Sequence, residues 1–432
     1  MNYTRNMAFS LLSLLFLGLA SPLFAQTKPA DADPALWARA MRLHRSAIVV
    51  DGHNDITSPM VDEDFNLSMD STNRFHLASG NPFHSDLDRL LKSGVTGNFF
   101  AIYVSGSTLT TGGAMRRAMD MIDATYREIE RHPAILRACT TAGEIRAAKL
   151  AGKRCILMGI EGGYAIENSL YALRNFYRLG IRYMTLTHNV SLDWADAHRG
   201  EVKSNGLSDF GKEVVREMNR LGMLVDISHV SDKVMHDVLD ITTAPIIASH
   251  SGARGVANHT RNVPDDVLLR VKKNGGVIMV VYYPTFLDDA YAKAESERAE
   301  RLRPQVDALR ERFKDNPRGF NDARRALFEA NPIPIPSYTR IVDHIDHIKN
   351  VAGIDHVALG SDYDGVPLLP AGMRGMEDKV LVTYEMLRRG YTEAEVRKVL
   401  GLNFLRAFSQ AERVAKIGTR KISRDGSLKK LK

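Results

Sequence analysis

Eight short runs of β-branched and aliphatic residues recur along this chain, and segments with helical periodicity separate them. Runs of this length without polar alternation are typical of strands buried on both faces of a sheet. Strands that alternate with helices predict a parallel sheet. A sheet of eight such strands can close into a (β/α)8 barrel of the TIM type. We predict the strands at residues 47–51, 95–104, 155–160, 181–186, 223–227, 245–248, 276–281 and 356–359.

The segments between these runs predict the helices, at residues 35–46, 85–93, 113–131, 142–151, 168–179, 209–221, 231–241, 264–274 and 341–352. With 432 residues, 44% of them hydrophobic, the chain can bury one barrel core and still carry insertions. Residues 284–337 depart from the alternation, because they are charged, helical in pattern and rich in proline near residue 334. We predict a helical insertion after the seventh strand that covers the barrel, mediates self-association or serves as a substrate lid.

The two ends of the chain differ in composition from the predicted domain, residues 26–415. An apolar stretch at residues 7–24 follows Arg5 and ends at Ala25, which predicts a signal peptide over residues 1–25 and a periplasmic or secreted protein. Because Leu23 is not the small residue that cleavage favours, an uncleaved anchor remains the alternative; the mature chain is expected to have no membrane span. Residues 416–432 form a basic tail, but basic and acidic residues are interleaved elsewhere, so no nucleic-acid partner is expected.

The chain has two cysteines, Cys139 and Cys155. A helix between them could return the chain so that they form a disulfide in an oxidising compartment. Two buried thiols are the equally acceptable alternative, since Cys155 begins a predicted core strand. Neither cysteine lies in a spacing typical of metal ligands.

Polar residues of the types that bind divalent cations follow several of the predicted strands. Carboxyl ends of barrel strands meet at one face, so these side chains are expected to converge on one metal centre. A lone histidine beside a strand is usually structural, but the repetition of the pattern favours ligands. The residues are His53, Asp55, Glu161, His229, His250 and Asp362. Glu161 has two carboxylate oxygens and precedes two glycines, so it could bridge two ions.

Seven ordered motifs, DGHND, EGG, LTHN, SHVS, SHSGAR, RNVPDD and GSDYDG, resemble those of the membrane dipeptidase (renal dipeptidase) family of zinc peptidases. The resemblance extends over residues 47–408. It implies a (β/α)8 barrel with two zinc ions per chain that hydrolyses dipeptides by means of a metal-bridging hydroxide. It also implies that His53 and Asp55 bind one zinc, that His229 and His250 bind the other, and that Glu161 bridges them.

The same resemblance implies roles for four further residues. Asp362 would exchange protons with the bridging water, and His188 would stabilise the oxyanion near the scissile carbonyl. Arg261 would hold the C-terminal carboxylate of the substrate, and Tyr283, where the match is loose, would help to form the oxyanion site. From the residues alone, Arg261 could equally pair with a surface aspartate, and His188 could be a core histidine.

Three other expectations remain open to test. A rival function is hydrolysis of cyclic amides or lactones by another metal-dependent barrel enzyme. Such enzymes commonly use an HxH pair and a carbamylated lysine, whereas this chain has HxD and Glu161. A binding protein of this fold that had lost its activity would be expected to lack at least one of the five zinc-binding residues, and all five are present. A homodimer is left open, and the lysine-rich C-terminal sequence gives no expectation of a lipid anchor there.

Overall fold

A computed structural model of the protein describes residues 28–424, with side chains through residue 415. The predicted signal peptide and the last eight residues of the predicted basic tail lie outside this part of the chain. The strands, all of which pair in parallel, are β1 (Val50–Asn54), β2 (Gly97–Tyr103), β3 (Leu136–Ala138), β4 (Arg154–Glu161), β5 (Ile181–Thr185), β6 (Leu224–Asp226), β7 (Ile247–Ser251), β8 (Val277–Val280) and β9 (Val357–Leu359).

The helices surround these strands. The nine helices predicted outside the insertion lie close to their expected positions, whereas the helices at residues 57–62, 108–111, 380–388, 393–397 and 403–424 were not predicted. In chain order, the helices are α1 (Pro34–Ser46), α2 (Thr57–Asp62), α3 (Leu87–Lys92), α4 (Thr108–Thr111), α5 (Ala114–Arg131), α6 (Ala142–Leu150), α7 (Leu170–Arg178), α8 (Asp209–Leu221), α9 (Asp232–Ile241), α10 (Asp265–Asn274), α11 (Pro284–Leu287), α12 (Asp289–Arg312), α13 (Pro317–Glu329), α14 (Thr339–Val351), α15 (Val380–Arg388), α16 (Glu393–Arg397) and α17 (Asn403–Arg424). Side-chain caps fix several starts, such as Ser208 before α8 and Ser231 before α9. No described helix is long and apolar enough to cross a membrane.

Eight of the strands form the predicted barrel, in the order β1-β2-β4-β5-β6-β7-β8-β9. The two ends of this order meet just beyond β9. There the Asp362 amide donates to the His53 carbonyl at 3.1 Å, and the Asp55 amide donates to the Tyr363 carbonyl at 2.8 Å. The (β/α)8 fold is therefore confirmed, and β1 and the segment after β9 lie side by side at the carboxyl end of the barrel.

The strand β3 was not predicted, and it lies outside the barrel order. It pairs with the first residues of β4, before β4 begins to pair with β5. Cys139 follows β3, and it forms a disulfide with Cys155 on β4, across a Cα–Cα distance of 5.5 Å. Of the two alternatives for the cysteines, the structure contains the disulfide.

The barrel interior is filled by large side chains. Phe99, Tyr183 and Phe404 pack together, with the Phe99 ring centroid 4.9 Å from that of Tyr183 and 5.4 Å from that of Phe404. Because Phe404 lies on α17, this last helix closes the end of the barrel opposite the carboxyl ends of the strands. Gly159 makes room for the Tyr183 ring, since a Cβ there would lie 2.1 Å from a ring carbon. Tyr183 can therefore extend along the barrel interior toward His53.

The helical insertion follows β8, the seventh strand of the barrel, as predicted. It consists of α11, α12 and α13, and the proline-containing segment after α13 leads into α14. Only Tyr291, Arg298 and Leu302 of α12 are buried, so this helix exposes most of its charged surface. α12 therefore rests on the barrel without contributing to its core, whereas Leu287 of α11 is fully buried in that core.

Two strand boundaries in the sequence prediction were wrong. Strand β1 begins at Val50 and continues through His53, and β7 continues through His250, whereas the apolar runs had predicted ends at residues 51 and 248. The ladder of a sheet is formed by backbone hydrogen bonds, which do not depend on the polarity of the side chains. A strand can therefore continue through a polar residue whose side chain has partners inside the barrel. His53 and His250 are both fully buried, which places them in the strands rather than in the following loops.

A buried ion pair lies beneath the junction of β1 and β9. Lys379 Nζ is 2.7 Å from Asp51 Oδ2, and both side chains are fully buried. The Ser361 amide and hydroxyl donate to the same carboxylate, at 2.9 and 2.6 Å. The Lys379 ammonium also lies 4.6 Å from the centroid of the Tyr282 ring. Asp51 therefore links the first strand, the segment after the last strand and the residue before α15.

Replacing Lys379 with methionine should destabilise the fold strongly, because it leaves the Asp51 carboxylate buried without its cation. The expected loss is about 3–5 kcal/mol in the free energy of unfolding, measured by urea denaturation. Arg39→Gln is the control: its pair with Glu393 has a similar N–O distance of 2.9 Å but is about half exposed, so it should cost about 1 kcal/mol or less. Equal losses in the two variants would contradict the role assigned to Lys379.

Candidate metal centre

The five predicted metal ligands converge at the carboxyl end of the barrel, around the side chain of Glu161. Glu161 Oε1 lies 3.1 Å from His229 Nε2 and 3.3 Å from His250 Nε2. Glu161 Oε2 lies 3.4 Å from His53 Nε2, and Asp55 Oδ2 is 3.3 Å from the same nitrogen. The two oxygens of one carboxylate therefore face two different groups of ligands.

Hydrogen bonds on the far side of the His53 ring fix its orientation. The Tyr183 hydroxyl donates its single proton to the Gly52 carbonyl at 3.1 Å, so it accepts from His53 Nδ1–H at 2.8 Å. The lone pair of His53 then lies on Nε2, which is buried without a hydrogen-bond partner among the described residues. A metal-binding histidine is held in the same way, with its other ring nitrogen hydrogen-bonded.

The other two histidines follow the same rule. The Ser249 hydroxyl donates to Asp226 at 2.5 Å and therefore accepts from His250 Nδ1–H at 2.8 Å. The side-chain oxygen of Asn189 accepts from His229 Nδ1–H at 3.2 Å. Both Nε2 atoms then carry lone pairs toward the centre, and they lie only 2.8 Å apart.

This set of donors fits divalent cations. Three imidazole lone pairs and two carboxylates, all buried, repel one another unless positive charge lies between them. The pKa of His53 also indicates that the centre favours positive charge. Burial lowers this pKa, but Tyr183 and the Glu161 and Asp55 carboxylates outweigh burial and raise the pKa well above its ordinary value. The candidate ligand atoms form clusters within 4.8 Å: His53 with Glu161 and His250, and His53 with Asp55 and Asp362.

Backbone conformation at the centre is unusual at two positions. His229 has φ +66° and Asp362 has φ +64°, in the left-handed region that residues with a Cβ rarely adopt. Such conformations persist where surrounding contacts determine them, and they are concentrated at functional sites. His229 follows β6 and Asp362 follows β9, so each conformation turns a side chain toward the barrel axis.

Asp362 reaches the centre from the last barrel strand. It is grouped with His53 and Asp55, and Arg261 lies close enough to stabilise its charge. Burial, with the Asp55 and Glu161 carboxylates nearby, raises the pKa of Asp362 well above its ordinary value. A buried carboxyl whose pKa is raised in this way holds a proton more tightly than an exposed one does.

His188 lies at the edge of the centre, not in its middle. Its Nε2 is 3.9 Å from Glu161 Oε1, farther than the corresponding nitrogens of His229 and His250. Burial lowers the pKa of His188 to about 4, so the ring is neutral at pH 7. The Tyr103 ring packs edge-on against it, with centroids 5.0 Å apart. A neutral imidazole in this position can bind a carbonyl oxygen.

Arg261 is buried behind the centre rather than paired with a surface aspartate. Its guanidinium donates to the His250 carbonyl at 2.9 Å and to the Ser251 hydroxyl at 3.2 Å, and it lies 5.3 Å from the centroid of the Phe286 ring. Its Nε is buried without a partner among the described residues. Burial lowers the pKa of Arg261 to about 10, so the group remains charged at pH 7.

Tyr283 is not brought to the metal ligands. Its hydroxyl donates to Glu295 of α12, at 3.3 Å from Oε1, and the Thr285 hydroxyl contacts the same carboxylate. Burial and Glu295 raise the pKa of Tyr283 above its ordinary value. The side chain lies beneath the insertion, so the oxyanion role that the resemblance implies has no support in this geometry.

An open cavity of about 320 Å³, which we call the metal cavity, gives access to the centre. Its inner wall consists of Asp55, Glu161, His188, His229 and Asp362. This volume is at the lower end of the range for small-molecule sites. The metal cavity therefore fits a substrate the size of a dipeptide.

Sequence reasoning missed the residues that orient the ligands. In the sequence, Tyr183 and Ser249 look like ordinary strand residues, and Asn189 stands out only as part of the LTHN motif. Asp226 carried a usable signal, because a carboxylate inside the apolar run of β6 requires buried donors. It accepts from the Ser249 hydroxyl and from the Thr185 hydroxyl, both at 2.5 Å.

Gly365→Ala should disturb the metal centre. A Cβ at Gly365 would lie 2.3 Å from Asp55 Oδ2 and 2.5 Å from Asp362 Oδ1, so one carboxylate must move. We expect a clear fall in bound metal, measured by mass spectrometry of the purified protein. Gly143→Ala is the control, because its nearest atom outside α6 is 4.0 Å away. Unchanged metal content in Gly365→Ala would contradict the expectation that this crowding displaces Asp55 from a metal.

Comparison with known proteins agrees with this geometry. Three similar solved structures are each 24% identical to this chain, which establishes the fold. The probable dipeptidase PvdM from Pseudomonas aeruginosa has a TM-score of 0.73 and covers 89% of this chain and 100% of its own. A metallo peptidase named dipeptidase AC has a TM-score of 0.68, over 85% and 99%. A metallo peptidase from Rhodobacter sphaeroides, liganded with a phosphinate mimic of the dipeptide L-Ala-D-Ala, has a TM-score of 0.66, over 84% and 99%.

The family itself is established by sequence. The profile of the family described as membrane dipeptidase (peptidase family M19) matches residues 37–421, nearly the whole of the described chain. The match includes every strand of the barrel and every residue of the centre. This chain therefore belongs to the membrane dipeptidase family, whose members are metal-dependent hydrolases of peptide bonds.

Proposed function

We propose that this dipeptidase works with two zinc ions, one held by His53 and Asp55 and the other by His229 and His250. The observation that carries the proposal is the position of Glu161, whose two oxygens face the two pairs of ligands. Histidine and carboxylate ligands suit zinc, and a set of three protein ligands leaves a position open on each ion.

When bound, two zinc ions lower the pKa of a water molecule and polarise the peptide carbonyl. Asp362 would accept a proton from the attacking water and deliver it to the departing amine nitrogen. Burial raises the pKa of Asp362, so its protonated form is stabilised relative to that of an exposed aspartate. His188, neutral and at the edge of the metal cavity, would donate a hydrogen bond to the carbonyl oxygen as negative charge develops there.

Arg261 would bind the C-terminal carboxylate of the substrate. Two of its five N–H groups are used by Ser251 and the His250 carbonyl, so three remain. These internal bonds also hold the guanidinium in place before substrate arrives. A fixed positive charge beside the metal centre limits the length of substrate that can follow the scissile bond. The dipeptide mimic bound in the Rhodobacter sphaeroides enzyme supports a dipeptide substrate here.

The rival reading, hydrolysis of cyclic amides or lactones, has less support. Enzymes that catalyse such reactions commonly have a carbamylated lysine between their two metal ions. Among the described residues Lys379 is the fully buried lysine, and its ammonium is paired with Asp51 beneath the barrel junction. The position between the ligand groups is taken by Glu161.

Metal content should separate the roles of two carboxylates. Wild-type protein purified with zinc should hold about two ions per chain. Glu161→Gln should lose metal, because an amide cannot supply two anionic oxygens. Asp362→Asn should keep both ions but lower kcat roughly a hundredfold or more. One ion per active wild-type chain, or two ions in Glu161→Gln, would contradict the binuclear site, and loss of zinc in Asp362→Asn would make Asp362 a ligand.

The role of Arg261 can be tested with a dipeptide and its C-terminal amide. A charge-assisted contact to a carboxylate is worth about 1.5–3 kcal/mol, so Arg261→Ala should lower kcat/KM for the free dipeptide roughly ten- to a hundredfold. It should matter little for the amide, which should already be a poor substrate. Arg270→Ala on α10 is the control, because Arg270 pairs with Asp240 at the surface. An equal loss on both substrates would contradict the role of Arg261.

A further inference from the structure

A short hairpin, residues 75–82, forms one wall of the metal cavity, and we call it the flap. Phe75 and Pro82 pair in antiparallel fashion at its base. The His76 amide donates to the Asn81 carbonyl at 2.8 Å. A substrate that fills the metal cavity touches the flap as well as the metal ligands, because four flap residues line this cavity. They are His76, Ala78, Ser79 and Asn81.

The base of the flap is held by the barrel. The His76 ring stacks on the Phe83 ring with centroids 3.9 Å apart, and its Nε2 lies 3.4 Å from Asp364 Oδ1. The same carboxylate oxygen accepts from the His84 amide, two residues beyond the flap, at 2.8 Å. Both ends of the flap are therefore tied to the segment after β9, which also carries Asp362.

The tip of the flap is held by α13 of the insertion. Asn321 is the buried residue of this helix, and its side-chain amide donates to the Leu77 carbonyl at 2.7 Å. A Cβ at Gly80 would lie 2.9 Å from Asn321 Cβ, so the flap and the helix are in close contact. Four residues further along α13, the Arg325 guanidinium lies 3.7 Å from the centroid of the Phe75 ring.

These contacts stabilise a hairpin that has little support of its own at the tip. An isolated pair of short strands is marginally stable in water. The Leu77 side chain at the tip is 47% exposed, so it does not anchor the flap in a core. A further bond at the tip, from the Ala78 amide to Glu63 at 3.2 Å, is exposed to solvent. Without the contacts of α13, the tip could move away from the metal cavity while the base stays in place.

We propose that Asn321 and Arg325 are positioning residues that hold the flap against the metal cavity and thereby restrict the enzyme to dipeptides. The proposal rests on the dipeptidase function and on the assignment of Arg261 to the C-terminal carboxylate. Arg261 lies in the loop after β7, and none of the described residues that line the metal cavity comes from that loop or from the loop after β8. The cavity is then left for the residue before the scissile bond, and a peptide extended at its N-terminus would meet the flap.

The test compares L-Ala-D-Ala, the dipeptide whose mimic the Rhodobacter sphaeroides enzyme binds, with L-Ala-L-Ala-D-Ala in the zinc-loaded, full-length enzyme. The initial products are separated by chromatography, so that cleavage before the D-alanine is measured. Wild type should favour the dipeptide roughly a hundredfold or more in kcat/KM. Asn321→Leu removes the donor to Leu77, and Arg325→Gln removes the cation over Phe75. Each should lower the preference about three- to tenfold, while kcat for the dipeptide stays within about twofold of wild type.

Hydrogen–deuterium exchange reports the position of the flap independently of catalysis. Amides of residues 75–82 should exchange about three- to tenfold faster in both variants, whereas those of the barrel strands should not change. Arg325→Lys should restore part of the wild-type behaviour, because it returns a cation to the Phe75 ring. Arg303→Gln is the matched control, since Arg303 pairs with Glu300 on the exposed surface of α12, and it should match wild type in both measurements.

Unchanged exchange in the flap of both variants would overturn the role of Asn321 and Arg325. Faster exchange with an unchanged preference for the dipeptide would also overturn the proposal, because the flap would then not set the length of the substrate. Equal losses on the dipeptide and the tripeptide through kcat would likewise overturn it, since they would give the two residues a structural role. If wild type cleaves neither L-Ala-D-Ala nor L-Ala-L-Ala, the proposed function itself is contradicted.

Discussion

The buried Asp51 carboxylate closes the barrel, and the geometry of the metal centre depends on that closure. Strands β1 and β9 do not form a continuous ladder, so Asp51 joins them by accepting from Ser361 and by pairing with Lys379. This junction sets the end of β1 against the segment after β9. His53 and Asp362 are linked there through the backbone, at 3.1 Å. Asp362, the proposed proton-transfer group, is thereby fixed beside His53, a proposed metal ligand.

The ligands themselves are arranged in a way that the fold alone does not favour. Three imidazoles present lone pairs to one carboxylate, and their tautomers are set by Tyr183, Ser249 and Asn189. The barrel must hold these groups together against their mutual repulsion. Rigid strands make this possible, because a ligand on a strand cannot move away without breaking the ladder. Metal binding would offset the free energy that this arrangement costs. Metal affinity would therefore be coupled to the stability of the fold.

Much of this could be predicted from sequence, for an identifiable reason. Apolar runs located eight strands, and polar residues at their ends located the candidate metal centre, because a parallel barrel collects strand ends at one face. The exact ends of β1 and β7 could not be predicted, since a polar residue with buried partners continues a strand that hydropathy ends. Tyr183 and Asn189 could not be found either, because their partners are distant in sequence. Position along the chain likewise gave no indication that Tyr283 contacts the insertion instead of the ligands.

The insertion lies apart from the strands that carry most of the candidate metal centre. His53, Glu161 and His250 lie on strands, whereas the insertion lies in the loop after β8. Tyr283, at the base of that loop, turns toward Glu295 of α12, while Arg261 stays bonded to Ser251 on β7. A change in α12 or α13 can therefore leave the buried guanidinium of Arg261 and the candidate ligands on the strands in place.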